Sequence, residues 1–191
     1  NNKSVTGKGA LEASSFHLFN ENFSQLSIPF WISKNVIHFP RARLQKKEGI
    51  INLSGVITEK QKLNLSLKSE NLSLSEFDTV PAIFRGSVTI KGQFAGDIKN
   101  PIATLTFEAP STWIGQRNLG HSLVKMELQN KIAKISSHLF QKQLQFKGHL
   151  EITSPYLYEG HLNIHKHDFS PYLHLLRKEF VEIKSTLTGE V

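Results

Sequence analysis

The residues of this chain best suited to chemistry are its nine histidines. His165 and His167 are two apart, and His161 falls in the same alternation. On a strand such residues share a face and could chelate a metal, with Asp168 the one carboxylate at ligand spacing. Leu162 and Ile164 take the alternate positions, which assigns these histidines to the solvated side. Ser, His and Asp all occur, but there is no G-x-S-x-G elbow, no phosphate-binding glycine loop and no H-E-x-x-H. The acids are spread singly along polar positions. Cysteine is absent, which excludes disulfides, thiolate metal sites and a cysteine nucleophile. The sequence therefore predicts no catalytic residue, no metal and no cofactor.

The chain has 191 residues, 39% of them hydrophobic, and a net charge of +7. That charge raises nucleic acid and anionic lipid as partners. Yet Lys and Arg alternate with apolar residues or sit in turns such as Gln45-Lys46-Lys47-Glu48, without the like-charge blocks of a nucleic-acid arm. No nucleic-acid partner is expected. No apolar run reaches the roughly 18 residues of a membrane helix, and no signal peptide opens the chain. The sequence begins at Asn1 and ends within a strand-like pattern at Gly189-Glu190-Val191, so we read it as a segment of a longer protein.

The elements that must position any site are strands. The clearest hairpin runs from Phe84 to Ala109. Val88, Ile90 and Phe94 alternate with polar residues in one arm, as do Ala103, Leu105 and Phe107 in the other, with a turn at Gly96-Asp97-Ile98-Lys99-Asn100-Pro101. Ile51 to Ile57 and Leu63 to Leu67 predict another hairpin, and His121–Asn130, Ile132–Leu139, Gln141–Thr153 and Tyr158–His165 predict further strands. Gln25–Ile32 and Asn35–Leu44 contain Pro29 and Pro40, which demote them to edge or bulge positions. Residues 71–84 break the alternation, with Ser73 or Ser75 able to cap a short turn. Ser170, Pro171 and the basic Arg177 and Lys178 predict one short helix near 170–178, and Val181–Val191 a closing strand.

An internal repeat links these elements. Leu65, Leu67, Asn71, Leu72, Ser73, Ile90 and Gly92 match Leu162, Ile164, Asp168, Phe169, Ser170, Leu187 and Gly189 at one constant offset. The expected domain organisation is a single segment of two units, about 1–91 and 92–191. The expected fold class is mostly β: an elongated, curved antiparallel sheet with one short helix.

The order of alternating strand, "N-L-S-L", a short break, "F-R-G-S-V-T-I-K-G" and "D-I-K-N-P-I-A-T-L" resembles the TamB/AsmA-like group of bacterial envelope proteins. The match rests on Gly86, Val88, Ile90, Gly92, Asn100, Pro101 and Leu105 and covers about two thirds of the chain, from about Ile50 onward. The resemblance implies a β-taco, or repeating β-groove, in the periplasm, anchored to the inner membrane by a segment outside this one. It implies movement of phospholipid between inner and outer membranes, or assembly of outer-membrane proteins with a barrel partner. It brings no catalytic residue.

The candidate site is the apolar face: Leu63, Leu65, Leu67, Val88, Ile90, Phe94, Leu105, Phe107, Val124, Met126, Leu128, Leu144, Phe146, Leu150, Ile152, Leu162, Ile164, Ile183 and Leu187. These residues would equally build the core of a closed sandwich. A single helix to cover so much sheet, and an end-to-end repeat, favour an open groove. A groove about 10 Å across would admit acyl chains, each buried CH₂ contributing roughly 0.8 kcal/mol. The rival expectation is a structural or adhesive β-domain that binds proteins through its strand edges.

Overall fold

Alternation carries through into one continuous sheet. The computed structural model describes residues 5–18, 20–154 and 156–164. Its strands are β1 (Gly7–Leu18), β2 (Glu21–Ser33), β3 (Val36–Lys46), β4 (Gly49–Ile57), β5 (Lys62–Glu70), β6 (Leu72–Ser73), β7 (Phe84–Arg85), β8 (Ser87–Asp97), β9 (Asn100–Ile114), β10 (Arg117–Gln129), β11 (Ile132–Leu139), β12 (Leu144–Glu151) and β13 (Tyr158–Ile164). They form a curved, open antiparallel sheet in the order β1-β2-β3-β4-β5-β8-β9-β10-β11-β12-β13, with β6 paired to β8 and β7 to β9. Among the described residues β1 pairs only with β2 and β13 only with β12, so no barrel closes and no second sheet lies over the first. The closed-sandwich expectation does not hold for these residues.

Turn chemistry explains the meander. Lys34–Asn35 and Asn130–Lys131 carry positive φ at both positions, the geometry whose twist matches the strands it joins. At the tip of the β8–β9 hairpin the Lys99 N–H donates to Asp97 Oδ1 at 2.9 Å, and Pro101 stands opposite Gly96.

Pro29 and Pro40 do not make β2 and β3 edge strands. Both strands are internal, and the ladder between them is interrupted between Ser27 and Trp31. The β3–β4 ladder is interrupted between Phe39 and Ala42. One bulge thus faces both prolines, a place in a sheet where a missing N–H is tolerated.

The break at 71–84 proves to be a segment that leaves the sheet and returns. The β5–β8 ladder ends at Lys68 opposite Lys91. Asn71, at φ 55°, turns the chain, and β6 rejoins β8 with Leu72 opposite Val88. A 3-10 turn follows at Leu74–Glu76, its N-cap Ser73 making no side-chain cap bond. The chain then reaches β2 and β3 before returning as β7 beside β9. The core lies where this segment meets the sheet: Leu72, Val88 and Ile90, packed by Ile51, Leu67, Leu74, Phe77 and Phe107. The helix expected at 170–178, the strand at 181–191 and the rest of the second repeat unit beyond residue 164 lie outside the described residues.

Candidate functional site

In an antiparallel ladder, residues directly opposite one another share a face. The registers therefore place Leu63, Leu65 and Leu67 (β5), Val88, Ile90 and Phe94 (β8), Leu105 and Phe107 (β9), and Val124, Met126 and Leu128 (β10) together on one face. Leu144, Phe146 and Leu150 (β12) and Leu162 and Ile164 (β13) continue it through β11. Ile152 falls just past the end of β12 and is exposed. Ile183 and Leu187 lie outside the described residues.

The face divides into two parts. Val88 and Ile90 are buried beneath the crossing segment and belong to a closed core. Leu65, Phe94, Leu105, Met126 and Phe146 are only half-buried, and within the described residues nothing packs over them as a second layer. One row of this face runs Ala42–Leu53–Leu67–Gly92–Leu105–Met126–Ile135–Gly148–Gly160, from the core border at Leu67 to the half-buried Leu105, Met126 and Ile135. The glycines on this floor are overlain by large neighbours. A side chain at Gly92 would meet Leu105 at 2.7 Å, and one at Gly148 or Gly160 would meet the Phe146 ring at under 3 Å.

Sequence reasoning missed the part contributed by β2 to β4 and by β11. Leu26, Leu44, Ile51 and Leu53 lie on the same face, as do Ala133 and Ile135. The alternation of Ile51, Leu53 and Ile57 was the available signal. For β2 and β3 the bulge shifts the alternation by one residue and hides it.

The crossing segment is fastened to one border of this face by a buried ionic cluster. The polar stretches at Asn20-Glu21-Asn22 and Gln45-Lys46-Lys47-Glu48 read as solvated turns, but Lys46 is 1% exposed and Glu21 is buried. Lys46 points to the apolar side, opposite Gly49, and the Glu21 carboxylate meets it there. The Lys46 ammonium lies 2.7 Å from Glu21 Oε2, 3.1 Å from Asp78 Oδ2 and 2.8 Å from the Asn22 carbonyl oxygen, so all three of its donors have acceptors. The Phe23 and Phe77 rings flank it, with centroids 5.1 and 5.9 Å from Nζ. Glu21 in turn accepts the N–H groups of Asp78 and Thr79 at 2.8 and 2.9 Å, and the Thr79 hydroxyl.

These bonds set the acidities. Burial pushes the Glu21 carboxyl up, but the Lys46 ammonium, the Thr79 hydroxyl and the two N–H donors outweigh it and bring it down to about 2. Asp78 is also lowered to about 2, first by the Asn22 N–H and then by Lys46 and the Asn22 side-chain amide. The cluster therefore stays ionised at neutral pH.

Between the crossing segment and the sheet lies a cavity of about 250 Å³, bounded by residues such as Leu74, Val80, Phe84, Phe107, Val124 and Leu139. Its polar lining is satisfied internally. Thr112 donates to Ser122 Oγ at 3.0 Å, and the Phe140 N–H donates to the same oxygen at 3.2 Å.

The histidine expectation fares differently. His161 is exposed and sits 3.4 Å from Glu159, while His165, His167 and Asp168 lie outside the described residues. Among the described residues no three His, Cys, Asp or Glu side chains are grouped to hold a metal, and no helix is long and apolar enough to cross a membrane. No protein-family model, no curated protein and no solved structure matches the chain.

Proposed function

We propose that this chain carries phospholipid acyl chains along its uncovered apolar face, as a segment of an envelope protein that moves lipid between inner and outer membranes or supports outer-membrane protein assembly. The observation that carries the reading is the floor itself. Eleven strands about 4.8 Å apart give a sheet on the order of 48 Å across, and away from the crossing segment no second layer covers its apolar face within the described residues. A large uncovered apolar surface on a folded chain marks a binding face. An acyl chain needs no polar partner, and this floor is mainly apolar, with Ser137 set between Val124 and Phe146. The TamB/AsmA-like pattern at Gly86, Gly92, Asn100 and Pro101 supports the same reading.

The competing reading, a β-domain binding proteins through its edges, draws on the single-sided pairing of β1 and β13. Photo-crosslinking separates the two. A photoreactive residue at Met126 (floor) is expected to capture phospholipid in cells, and one at Lys125 (opposite face) is not. Protein adducts from β1 alone, with no lipid from Met126, would favour edge binding.

A further inference from the structure

The polar face carries an order of its own. Opposite Leu67, Gly92, Met126 and Gly148, one step along each strand, a single cross-strand row runs Arg43–Asn52–Lys68–Lys91–Thr106–Lys125–Ser136–Lys147–His161. It holds five permanent cations, and every acid of the neighbouring rows is displaced from it. All five are exposed, and none forms an ion pair among the described residues. Lys68 and Lys91 stand directly opposite each other, an arrangement that destabilises a sheet. Two shallow hollows on this face lie along the row. One, of about 240 Å³, is lined by Lys68, Lys91 and Thr106, and the other, of about 410 Å³, by Lys125, Lys147 and His161, with Glu127 and Glu159 at its sides.

We infer that this row is a binding track for a linear acidic polysaccharide. The five cations of the row stand in single file, and in the flanking rows Lys134 is set opposite Glu127. Glu70, Glu108, Glu127 and Glu159 occupy the rows on either side, so a flat anionic membrane would meet repulsion that a single extended chain avoids. Lys91, Lys125 and Lys147 recur on every second strand, about 9.6 Å apart, which is sparser than the 3.4 Å phosphate spacing of a nucleic-acid strand. The row's one ring is His161 at its end, so no series of aromatic side chains lies along it to stack successive bases. Of its remaining members, Thr106 and Ser136 offer hydroxyls suited to hydrogen bonds with sugars, while Asn52 is held between Arg41 and Glu70. The inference stands apart from the lipid reading, which uses the opposite face.

The test measures binding of fluorescein-labelled polygalacturonate by anisotropy at several salt concentrations. Two variants of equal net charge are compared with the parent: Lys68→Gln, Lys91→Gln, Lys125→Gln and Lys147→Gln together, and Lys8→Gln, Lys34→Gln, Lys60→Gln and Lys99→Gln together. The row variant is expected to lose affinity by about tenfold or more, with the salt slope falling by about one per contact removed. Its melting temperature should not drop, since it relieves the Lys68–Lys91 repulsion. The off-row variant should bind as the parent does. Equal losses in both variants would overturn the proposal, as would absence of polysaccharide binding by the parent. So would row-dependent binding of phosphatidylglycerol vesicles, or of a single-stranded oligonucleotide, in place of the polysaccharide.

Discussion

Lys46 and Glu21 form a buried ion pair, 2.7 Å apart, on the apolar side of a sheet otherwise lined there by Leu, Ile and Phe. Asp78 and Thr79 complete it from the crossing segment, so the pair acts as a fastening between two parts of the chain. Lys46→Met is expected to destabilise the fold by about 3–5 kcal/mol, the usual result of leaving one buried charge uncompensated. Urea unfolding checks it. The double change Lys46→Met with Glu21→Gln should recover part of the loss.

The same cluster sets an acid limit. Glu21 and Asp78 have ordinary pKa values of 4.5 and 3.8, and both are lowered to about 2 in the fold. A lowered carboxyl stabilises fully above its unfolded pKa and loses that contribution as pH falls through the folded value. Stability is therefore expected to be flat above about pH 5 on account of this cluster and to decline between about pH 4.5 and 2. Denaturation midpoints measured across that range should fall less steeply in Glu21→Gln than in the parent.

Where the β5–β8 ladder stops, the buried Ile90 N–H donates to Ser69 Oγ at 2.7 Å. The hydroxyl stands in for the strand carbonyl displaced when the chain turns at Asn71. Ser69→Ala leaves that donor unsatisfied, and a loss of about 1–3 kcal/mol is expected. Hydrogen exchange at the Ile90 amide should accelerate correspondingly.

Two apolar residues of one face should respond differently to truncation. Ile90 is sealed under the crossing segment, and Ile90→Ala is expected to cost about 2–5 kcal/mol. Met126, half-buried on the uncovered floor, should cost well under that, because solvent already reaches it. Comparable losses at both positions in thermal unfolding would mean that the floor is sealed as well.

Period-2 alternation made the strands and the shared face of Leu65, Phe94, Leu105, Met126 and Phe146 legible from sequence, because side-chain direction on a strand depends only on position. The crossing segment was visible as a loss of alternation and a short turn, but its destination was not. Nothing local to Asp78 or Thr79 shows that they meet Glu21, which is more than fifty residues earlier. Lys46 looked like a turn residue because its neighbours Lys47 and Glu48 are. Its burial follows from strand parity, since it is the last residue of β3 and shares the face of Leu44. Sheet order made the row of cations readable, since Arg43, Lys68, Lys91, Lys125 and Lys147 align only once every register is known.

The central claim is that the uncovered floor holds acyl chains, and native mass spectrometry of the chain purified from a bacterial envelope tests it most directly. The parent is expected to carry co-purified phospholipid. Phe146→Asp, which puts a charge on the floor beside Leu162, should remain folded by circular dichroism and lose that lipid. A parent that carries no lipid and takes up no fluorescent acyl probe, or a Phe146→Asp variant that unfolds, would contradict the account.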